Sequence, residues 1–209
     1  MSMQLKENSL IVFQGDSITD AGREREKDTF MGAGYVFMLS ALLAARYPGK
    51  NPRFINRGLG GDTVQALYER WEQDCLVYKP DVVSILIGIN DTWRRFSENR
   101  EPDLGRFEAM YREMLTGTQE RSGAQLVIIE PFLLTNRENY KEWRMDLDAR
   151  IDIIRGLAAE FHTCYVPMDG IMAQACTKAD ASYWSTDGVH LTPAGHALLA
   201  QSWLASAGL

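Results

Sequence analysis

Histidine and cysteine are scarce in this 209-residue sequence, which contains three of each. Cys75, Cys164 and Cys176 are far apart and form no C-x-x-C pair, so the sequence indicates neither a structural zinc site nor a disulfide framework. We therefore expect three reduced thiols that pack as small apolar side chains.

Long apolar runs and an excess of positive charge are also missing. No run approaches the ~20 residues that a membrane-spanning helix needs, and the opening MSMQLKENSL lacks the apolar segment of a secretory signal. The formal net charge of −6 argues against binding to nucleic acid or to an anionic membrane, because such binding depends on clustered Lys and Arg. We expect a cytoplasmic protein that acts on a small, neutral molecule.

The rest of the composition, 45% hydrophobic and 24% charged, is that of an ordinary globular protein. No repeat or linker divides the chain, so we predict a single domain over residues 1–209. Nine methionines and five tryptophans could supply an apolar subunit interface, and we also predict a homo-oligomer.

Short apolar segments alternate with longer amphipathic ones along the chain. Strands are predicted at 9–15, 53–56, 81–88, 124–130 and 162–168, and helices at 34–47, 62–78, 103–121, 138–160 and 193–206. Most of the strands are apolar without alternation, which is typical of parallel strands covered on both faces. In the second helix, Asp62 is the predicted N-cap and Gln65 occupies the capping-box position. This order predicts a three-layer α/β/α sandwich around a parallel sheet of about five strands.

Ligands of such folds bind beyond the carboxyl ends of the strands, where several polar or small residues of this sequence fall. Ser17 follows the first strand, although its surroundings do not match the G-x-S-x-G of a nucleophile elbow. Gly61 precedes the second predicted helix, whose N-terminus favours negative charge, and Asn90 follows the third strand. Each also has an ordinary role open to it, as a turn or capping residue, so none decides the function alone.

His190 is the histidine whose position indicates chemistry. His162 opens the fifth predicted strand and His196 lies inside the last predicted helix. His190 instead lies in a turn-rich loop just before Thr192-Pro193, a strong N-cap and N1 pair. Its loop position leaves the imidazole free for proton transfer.

Asp187 precedes His190 by three residues, and Gly188 between them permits a tight turn. Such a turn would bring the carboxylate to Nδ1 of the imidazole and leave Nε2 to accept a proton from Ser17. The D-x-x-H pattern is common by chance, so an unremarkable surface histidine beside an aspartate stays open at this point.

Together, the blocks resemble those of the SGNH hydrolases, also called the GDSL-type esterases, along nearly the whole chain. GDSITD matches the family's first block, N-x-G-x-x-G-D at 56–62 the second, G-x-N-D at 88–91 the third, and D-x-x-H at 187–190 the last. The resemblance implies a flavodoxin-like SGNH hydrolase fold and a serine esterase that needs no cofactor and no metal. It also implies a set of site residues: Ser17 as nucleophile, Asp187 and His190 as the rest of a triad, and Ser17, Gly61 and Asn90 as the oxyanion hole.

Within that family, the sequence looks most like the acetylxylan-esterase-like members. GDSITDAGR is followed by a G-x-G-Y segment at 32–35, and later blocks read RGLGGDT and GINDTWR. This resemblance implies a short acyl group, an acetyl, on a carbohydrate such as an acetylated oligosaccharide. A lysophospholipase or an acyl-thioesterase is the alternative within the family.

Two tryptophans are candidates for contact with a sugar, since Trp93 and Trp184 each lie three residues from a site residue. An indole face can pack on a sugar ring while Arg23 or Arg94 binds hydroxyls, although both tryptophans could equally pack the core. Asp16, next to the predicted nucleophile, is a further candidate for substrate contact.

Two readings from other classes stay open. In a metallohydrolase, carboxylates and a histidine at one end of the sheet would hold divalent ions; the candidates are Asp16, Asp62, Asp91, Asp187 and His190. The turn role of Asp16 and the capping role of Asp62 argue against it. The other is a non-catalytic binding module on the same fold, against which the complete set of five site residues argues.

Overall fold

A parallel sheet lies at the centre of the computed structural model, which describes residues 3–27, 30–134 and 140–209. Its strands are β1 (Leu10–Gly15), β2 (Arg53–Asn56), β3 (Val82–Leu86), β4 (Gln125–Ile129) and β5 (Cys164–Val166). They are ordered β2-β1-β3-β4-β5, and every neighbouring pair is parallel. This is the flavodoxin-like order, whose topological switch point lies between β1 and β3. The predicted fold class is confirmed.

Both faces of the sheet are buried. Alternate side chains of a strand point to opposite faces, so each strand contributes to the apolar packing on both sides. In β3, Val82 and Leu86 pack into one apolar cluster, whereas Val83 and Ile85 pack into the other. The apolar runs in the sequence therefore reflect burial of parallel strands on two sides.

Helices cover both faces of the sheet. Their bounds are α1 Ser17–Asp20, α2 Tyr35–Arg46, α3 Val64–Glu69, α4 Trp71–Asp74, α5 Ile89–Ser97, α6 Leu104–Ser122, α7 Tyr140–Glu160, α8 Met168–Cys176, α9 Ala181–Trp184 and α10 Pro193–Ala207. The apolar sides of α2 and α10 belong to one cluster, and those of α3 and α6 belong to the other. Together with the sheet they form the three predicted layers.

The predicted helix over 62–78 is wrong in extent, because this segment divides into α3, α4 and a short 3₁₀ turn. The N-cap of α3 is Thr63, whose hydroxyl accepts a backbone N–H of the first turn. Asp62 is therefore not the N-cap, and Gln65 does not occupy a capping-box position. The Asp62 carboxylate instead accepts a hydrogen bond from Arg70.

The predicted strand over 162–168 is also too long. His162 has a φ of 50°, so it lies in a turn and does not open β5, and α8 begins at Met168. Helices α1, α5, α8 and α9 were not predicted. The predicted last helix is confirmed with Thr192 as N-cap and proline at its start. The helix expected over 138–160 is confirmed from Tyr140, and residues 138 and 139 lie outside the described ranges.

All three cysteines are free, as expected; Cys75 is buried, and Cys164 and Cys176 are partly buried. Burial raises the pKa of the Cys75 thiol to about 12, so this sulfur is held as an unreactive thiol. In the ranges that the structure describes, no helix is both long enough and apolar enough to cross a membrane.

Candidate active site

Ser17 lies at the sharp turn where β1 becomes α1. A Cβ on Gly15 would lie 2.4 Å from the carbonyl oxygen of Leu86, so glycine is required where the strand ends. The Asp16 side chain then accepts a hydrogen bond of 2.9 Å from the N–H of Ile18 and caps the short helix. This turn places the Ser17 hydroxyl at the carboxyl edge of the sheet, beside the topological switch point.

Ser17, His190 and Asp187 form a continuous chain of contacts. The Ser17 Oγ lies 3.0 Å from His190 Nε2, and His190 Nδ1 lies 2.7 Å from Asp187 Oδ2. When Nδ1 donates its proton to the carboxylate, Nε2 is left to accept from the serine hydroxyl. The fold thus joins two residues that are 173 positions apart in the sequence.

The loop that holds His190 is closed by its own hydrogen bonds. The buried Ser185 hydroxyl donates to the carbonyl of His190 and accepts from the N–H of Gly188, each at 2.8 Å. Asp187 Oδ1 accepts from the N–H groups of Val189 and His190 at 2.9 and 2.7 Å. Ser185 was not predicted as a site residue, although the potential of Asp187 to form an Asx-type turn is a local signal for this loop.

The electrostatics of this loop favour a charged aspartate beside an accessible imidazole. Partial burial raises the pKa of Asp187, but hydrogen bonds from the His190 ring and from the backbone outweigh it and hold that pKa below its usual value. The side chains of His190 and Asp187 are 46% and 20% exposed. The imidazole can therefore meet a ligand while the carboxylate stays behind it.

Gly61 and Asn90 lie on the other side of Ser17. Gly61 has a φ of 85°, and neither its N–H nor that of Ser17 has an acceptor within the described ranges. Asn90 lies in the first turn of α5, and its Nδ2 donates to the carbonyl of Asp62 at 3.0 Å. One N–H of the Asn90 amide is thereby fixed, and the other is left to bind a ligand oxygen.

Arg70 connects the Gly61 loop to β1, a role that was not predicted from the sequence. Its guanidinium donates to Asp62 at 2.7 Å, to Asp74 and Gln14 at 3.0 Å each, and to the carbonyl of Gly15 at 3.3 Å. No local pattern marks this arginine, because Gln14 lies 56 positions away. The network positions the ends of β1 and of the Gly61 loop relative to each other.

Two other arginines were predicted from the sequence to bind sugar hydroxyls. Both contact the N-x-G-x-x-G-D segment at residues 56–62. Arg94 Nη2 donates to the carbonyl of Gly61 at 2.8 Å, and Arg23 Nε donates to the carbonyl of Gly58 at 2.7 Å. Each guanidinium has five N–H groups, so both retain donors for a ligand. Of the two, Arg94 is the one that touches a predicted oxyanion-hole residue.

Asp16 is fully buried, and within the described residues its Oδ2 has no hydrogen-bond partner. Burial raises the pKa of this carboxyl to about 7; the Ile18 N–H and His190 oppose the shift, and Asp62 and Asp91 add to it. Its predicted contact with substrate stays a prediction, since no surface of Asp16 is accessible in this conformation.

The two candidate tryptophans differ in position. The Trp93 ring centroid lies 6.3 Å from that of His190 and 5.3 Å from that of Trp143, so Trp93 forms an aromatic wall beside the imidazole. Trp184 packs against the larger apolar cluster, and its ring N–H is buried with no acceptor in the described part of the chain. The geometry therefore favours Trp93 over Trp184 as a contact for a ligand at His190.

The acidic residues of the metallohydrolase reading already have protein partners. Asp62 binds Arg70, Asp91 accepts the N–H of Val64 at 3.0 Å, and Asp187 binds His190. Among the residues that the structure describes, no group of three or more His, Cys, Asp or Glu is arranged to hold a metal ion.

Comparison with known proteins identifies the chain as a carboxylic ester hydrolase. The chain belongs to the GDSL-like lipase/acylhydrolase family, whose profile matches residues 13–198. An acetylxylan esterase from Geobacillus stearothermophilus is 32% identical to it, over 99% of this chain and 97% of that protein.

Solved structures agree with the fold. A crystal structure of a GDSL-like protein from Parabacteroides merdae has a TM-score of 0.95 and 37% identity, covering 100% of this chain and 99% of that one. That of Axe2, an acetylxylan esterase from Geobacillus stearothermophilus, has a TM-score of 0.90 and 32% identity, covering 99% and 97%. Three more Axe2 structures are described as catalytic mutants, with a serine, an aspartate or a histidine replaced by alanine.

Proposed function

We propose that the protein is a serine esterase that removes acetyl groups from a carbohydrate. Ser17 is the nucleophile, His190 the general base and acid, and Asp187 the carboxylate that orients the imidazole. The observation that carries this proposal is the contact chain from Ser17 Oγ through His190 to Asp187, at 3.0 and 2.7 Å. The replaced residue types in the Axe2 catalytic mutants support the same assignment.

Hydrolysis proceeds in two steps. Ser17 Oγ attacks the ester carbonyl as His190 Nε2 takes its proton, and the imidazolium then protonates the leaving alcohol. Water, activated by the same nitrogen, attacks the acyl-enzyme and releases acetate together with free Ser17. Asp187 stabilises the imidazolium in both steps, and no cofactor takes part.

The negative oxygen that develops in each step is bound by three donors. The N–H groups of Gly61 and Ser17, which have no acceptor among the described residues, and the second N–H of the Asn90 amide serve as the oxyanion hole. The tie of Asn90 to the carbonyl of Asp62 supports this role, because it fixes the amide before the substrate arrives.

An acetyl group on a sugar fits the surroundings of Ser17. The relative that is an acetylxylan esterase supports this substrate class, and Trp93 offers an aromatic surface beside His190 for a sugar ring. A long acyl chain needs an extended apolar groove, whereas the segment that follows α1 contains Arg23, Glu24, Arg25, Glu26 and Lys27. The proposed partner is therefore a small ester such as an acetylated oligosaccharide.

A panel of esters tests the proposal. The enzyme should hydrolyse p-nitrophenyl acetate well and the octanoate poorly, and it should release acetate from acetylated xylo-oligosaccharides. Each added methylene discriminates by only ~1–3 kcal/mol, so kcat/KM should fall gradually with chain length. A steady rise of kcat/KM towards the octanoate, or preference for a long-chain thioester, would favour the lysophospholipase or thioesterase alternative.

Inhibition experiments separate the other classes. A serine-directed organophosphate should abolish activity and a chelator should not, whereas a metallohydrolase would give the opposite result. Ser17→Ala should lower turnover to near background; unchanged behaviour of that variant in every assay would favour a binding module. A homo-oligomer and a cytoplasmic location stay predictions, testable by light scattering against the 23.6 kDa chain mass and by cell fractionation.

A further inference from the structure

The N–H of Gly61, one of the proposed oxyanion donors, lies in a tight β-turn beside Ser17. The Asp62 N–H donates to the carbonyl of Leu59 at 3.1 Å, and Gly61 has a φ of 85°, the positive value that the third residue of a type II turn requires. A Cβ on Gly60 would lie 3.8 Å from the Cβ of Ser17, so the turn packs directly against the nucleophile. Because both central residues are glycines, the turn has little conformational preference of its own. Contacts from outside must therefore hold it.

On one side, Asp20 holds the turn from α1, the helix that begins with Ser17. Asp20 lies three residues after Ser17, on the same side of this helix. Its Oδ2 accepts the N–H of Gly60 at 3.1 Å, and its Oδ1 accepts the N–H of Arg23 at 3.2 Å. The side chain is only 14% exposed. The Asp20 carboxylate is therefore fixed at the end of its own helix and fixes Gly60 relative to Ser17.

On the other side, Arg94 holds the turn from α5, the helix that carries Asn90. Arg94 lies four residues after Asn90, so both side chains project from the same face of the helix. Arg94 Nη2 donates to the carbonyl of Gly61 at 2.8 Å, and Asn90 Nδ2 donates to the next carbonyl, that of Asp62, at 3.0 Å. One face of α5 thus binds two successive carbonyls of the turn.

These contacts enclose the peptide that carries the Gly61 donor. This peptide joins Gly60 to Gly61. Asp20 binds the peptide before it, and Arg94 binds the peptide after it. The two side chains come from α1 and α5, the helices that carry the other two proposed oxyanion donors. Two side chains therefore hold three donors, which come from separate segments of the chain, in one arrangement.

We propose that Asp20 and Arg94 are positioning residues of the oxyanion hole, which place the Gly61 N–H where the transition state requires it. This inference rests on the proposed function, because it concerns the negative oxygen that forms when Ser17 attacks an ester. Arg94 acts through the Gly61 carbonyl under this proposal. Its effect therefore appears with any ester, whether or not the alcohol is a sugar.

Replacing Arg94 by Ala tests the contact from α5. The Gly61 N–H remains but is no longer held in place, so kcat on p-nitrophenyl acetate should fall by about 10–100-fold. KM should stay within about twofold of the wild-type value, because the interaction contributes only in the transition state. Arg100→Ala is the matched control, since Arg100 follows α5 and pairs with the exposed Glu98, and it should retain wild-type kcat. Wild-type kcat in Arg94→Ala would overturn the inference.

The alcohol of the substrate distinguishes positioning from sugar binding. The factor by which Arg94→Ala lowers kcat should be similar for p-nitrophenyl acetate and for acetylated xylo-oligosaccharides, because both form the same negative oxygen at Ser17. A loss confined to the oligosaccharides and expressed in KM would mean that Arg94 contacts the sugar, and it would overturn the inference.

Replacing Asp20 by Ala tests the contact from α1, and it keeps the inference testable if Arg94→Ala folds poorly. It should give the same pattern on p-nitrophenyl acetate, a lower kcat with little change in KM. Glu24→Ala is the control, because Glu24 pairs with Lys27 on the surface just after the same helix, and it should retain wild-type kcat. Wild-type kcat in Asp20→Ala would contradict the role of Asp20.

A tetrahedral inhibitor separates positioning from a general loss of structure. The Ser17 oxygen adds to the boron of phenylboronic acid as its proton passes to His190, and one oxygen of the adduct occupies the oxyanion hole, as in the transition state. The inhibition constant of phenylboronic acid should rise in both variants by about the factor by which kcat/KM falls, whereas that of the neutral sugar xylobiose should not change. A rise of both constants, or of neither, would overturn the inference.

The double variant with Asp20→Ala and Arg94→Ala tests whether both residues act on one turn. Its loss of kcat should be smaller than the product of the two single losses, because the turn can already move once either contact is removed. A loss equal to that product would show two independent effects and overturn the shared role. If the wild type hydrolysed no ester, the proposed function would fail, whereas an active wild type with equally active variants would overturn this inference alone.

Discussion

The two sides of the candidate active site are constructed differently. On one side, Asp187 and His190 lie three residues apart in one loop that is closed by its own hydrogen bonds. On the other side, Gly61 and Asn90 follow different strands, and Arg70 links the Gly61 loop to β1. The first side is a local unit and the second is an assembly of distant segments. We expect substitutions to impair the first side mainly when they change its own residues. The second side should also be impaired by substitutions of residues that do not contact the substrate.

Replacing Asp187 by Asn tests the local side and should have the largest effect. The Asn side-chain oxygen can still accept the N–H groups of Val189 and His190, so the loop should keep its shape. The amide can no longer hold the Nδ1 proton of His190, and kcat on p-nitrophenyl acetate should fall by about 10⁴. Asp180→Asn is the control, because Asp180 caps α9 nearby, and it should retain activity. A loss of less than tenfold in Asp187→Asn would contradict the proposed triad.

Replacing Asn90 by Ala tests the assembled side. It removes one of the proposed oxyanion donors and should lower kcat by about 10²–10³ while leaving the Asp187 and His190 loop unaltered. Asn51→Ala, which removes a side chain bound to the exposed Asn8, should leave kcat unchanged. If Asn90→Ala had wild-type kcat, Asn90 would have no part in the oxyanion hole.

The same difference explains what the sequence could predict. The turn from Asp187 to His190 and the start of α10 at Thr192 were predicted correctly, because every contact involved lies within a few residues. The sheet was predicted because burial on two faces leaves an apolar run in each strand.

The start of α3 was predicted wrongly for a long-range reason. Asp62 and Thr63 are both good N-cap residues, and local propensity does not separate them. In the fold, Asp62 binds Arg70, which is tied in turn to Gln14 and to the carbonyl of Gly15, so Thr63 is left to cap the helix. Contacts between segments that are 55 or more residues apart leave no periodic pattern in the sequence.

Replacing Arg70 by Lys tests whether the assembled side depends on this network. Lysine keeps the charge but cannot reach Asp62, Asp74 and the Gly15 carbonyl at once, so the free energy of unfolding should fall by about 2 kcal/mol in a urea titration. Arg121→Lys is the control, because Arg121 pairs with Glu72 on the surface, and it should change stability by less than about 0.5 kcal/mol. Equal effects of the two variants would show that the network adds nothing beyond a surface pair.

Asp16 lies where the two sides meet, and its raised pKa makes the free energy of unfolding depend on pH. The raised pKa, from 3.8 to about 7, means that between these values the folded protein holds a proton that the unfolded chain has lost. The free energy of unfolding therefore falls as pH rises through this window, and the loss is complete above about pH 7.

Asp16→Asn removes this titration and keeps an oxygen that accepts the N–H of Ile18. The difference in Tm between the variant and the wild type should therefore shift in favour of the variant between pH 4 and pH 8, with most of the shift complete by about pH 7. Asp180→Asn is the control, since the pKa of the exposed Asp180 is lowered, and its Tm difference should not move in that direction. A Tm difference for Asp16→Asn that is constant from pH 4 to pH 8 would mean that Asp16 is charged throughout. Asp16 would then be a buried negative charge next to Ser17. The proposed triad would operate beside this carboxylate in addition to that of Asp187.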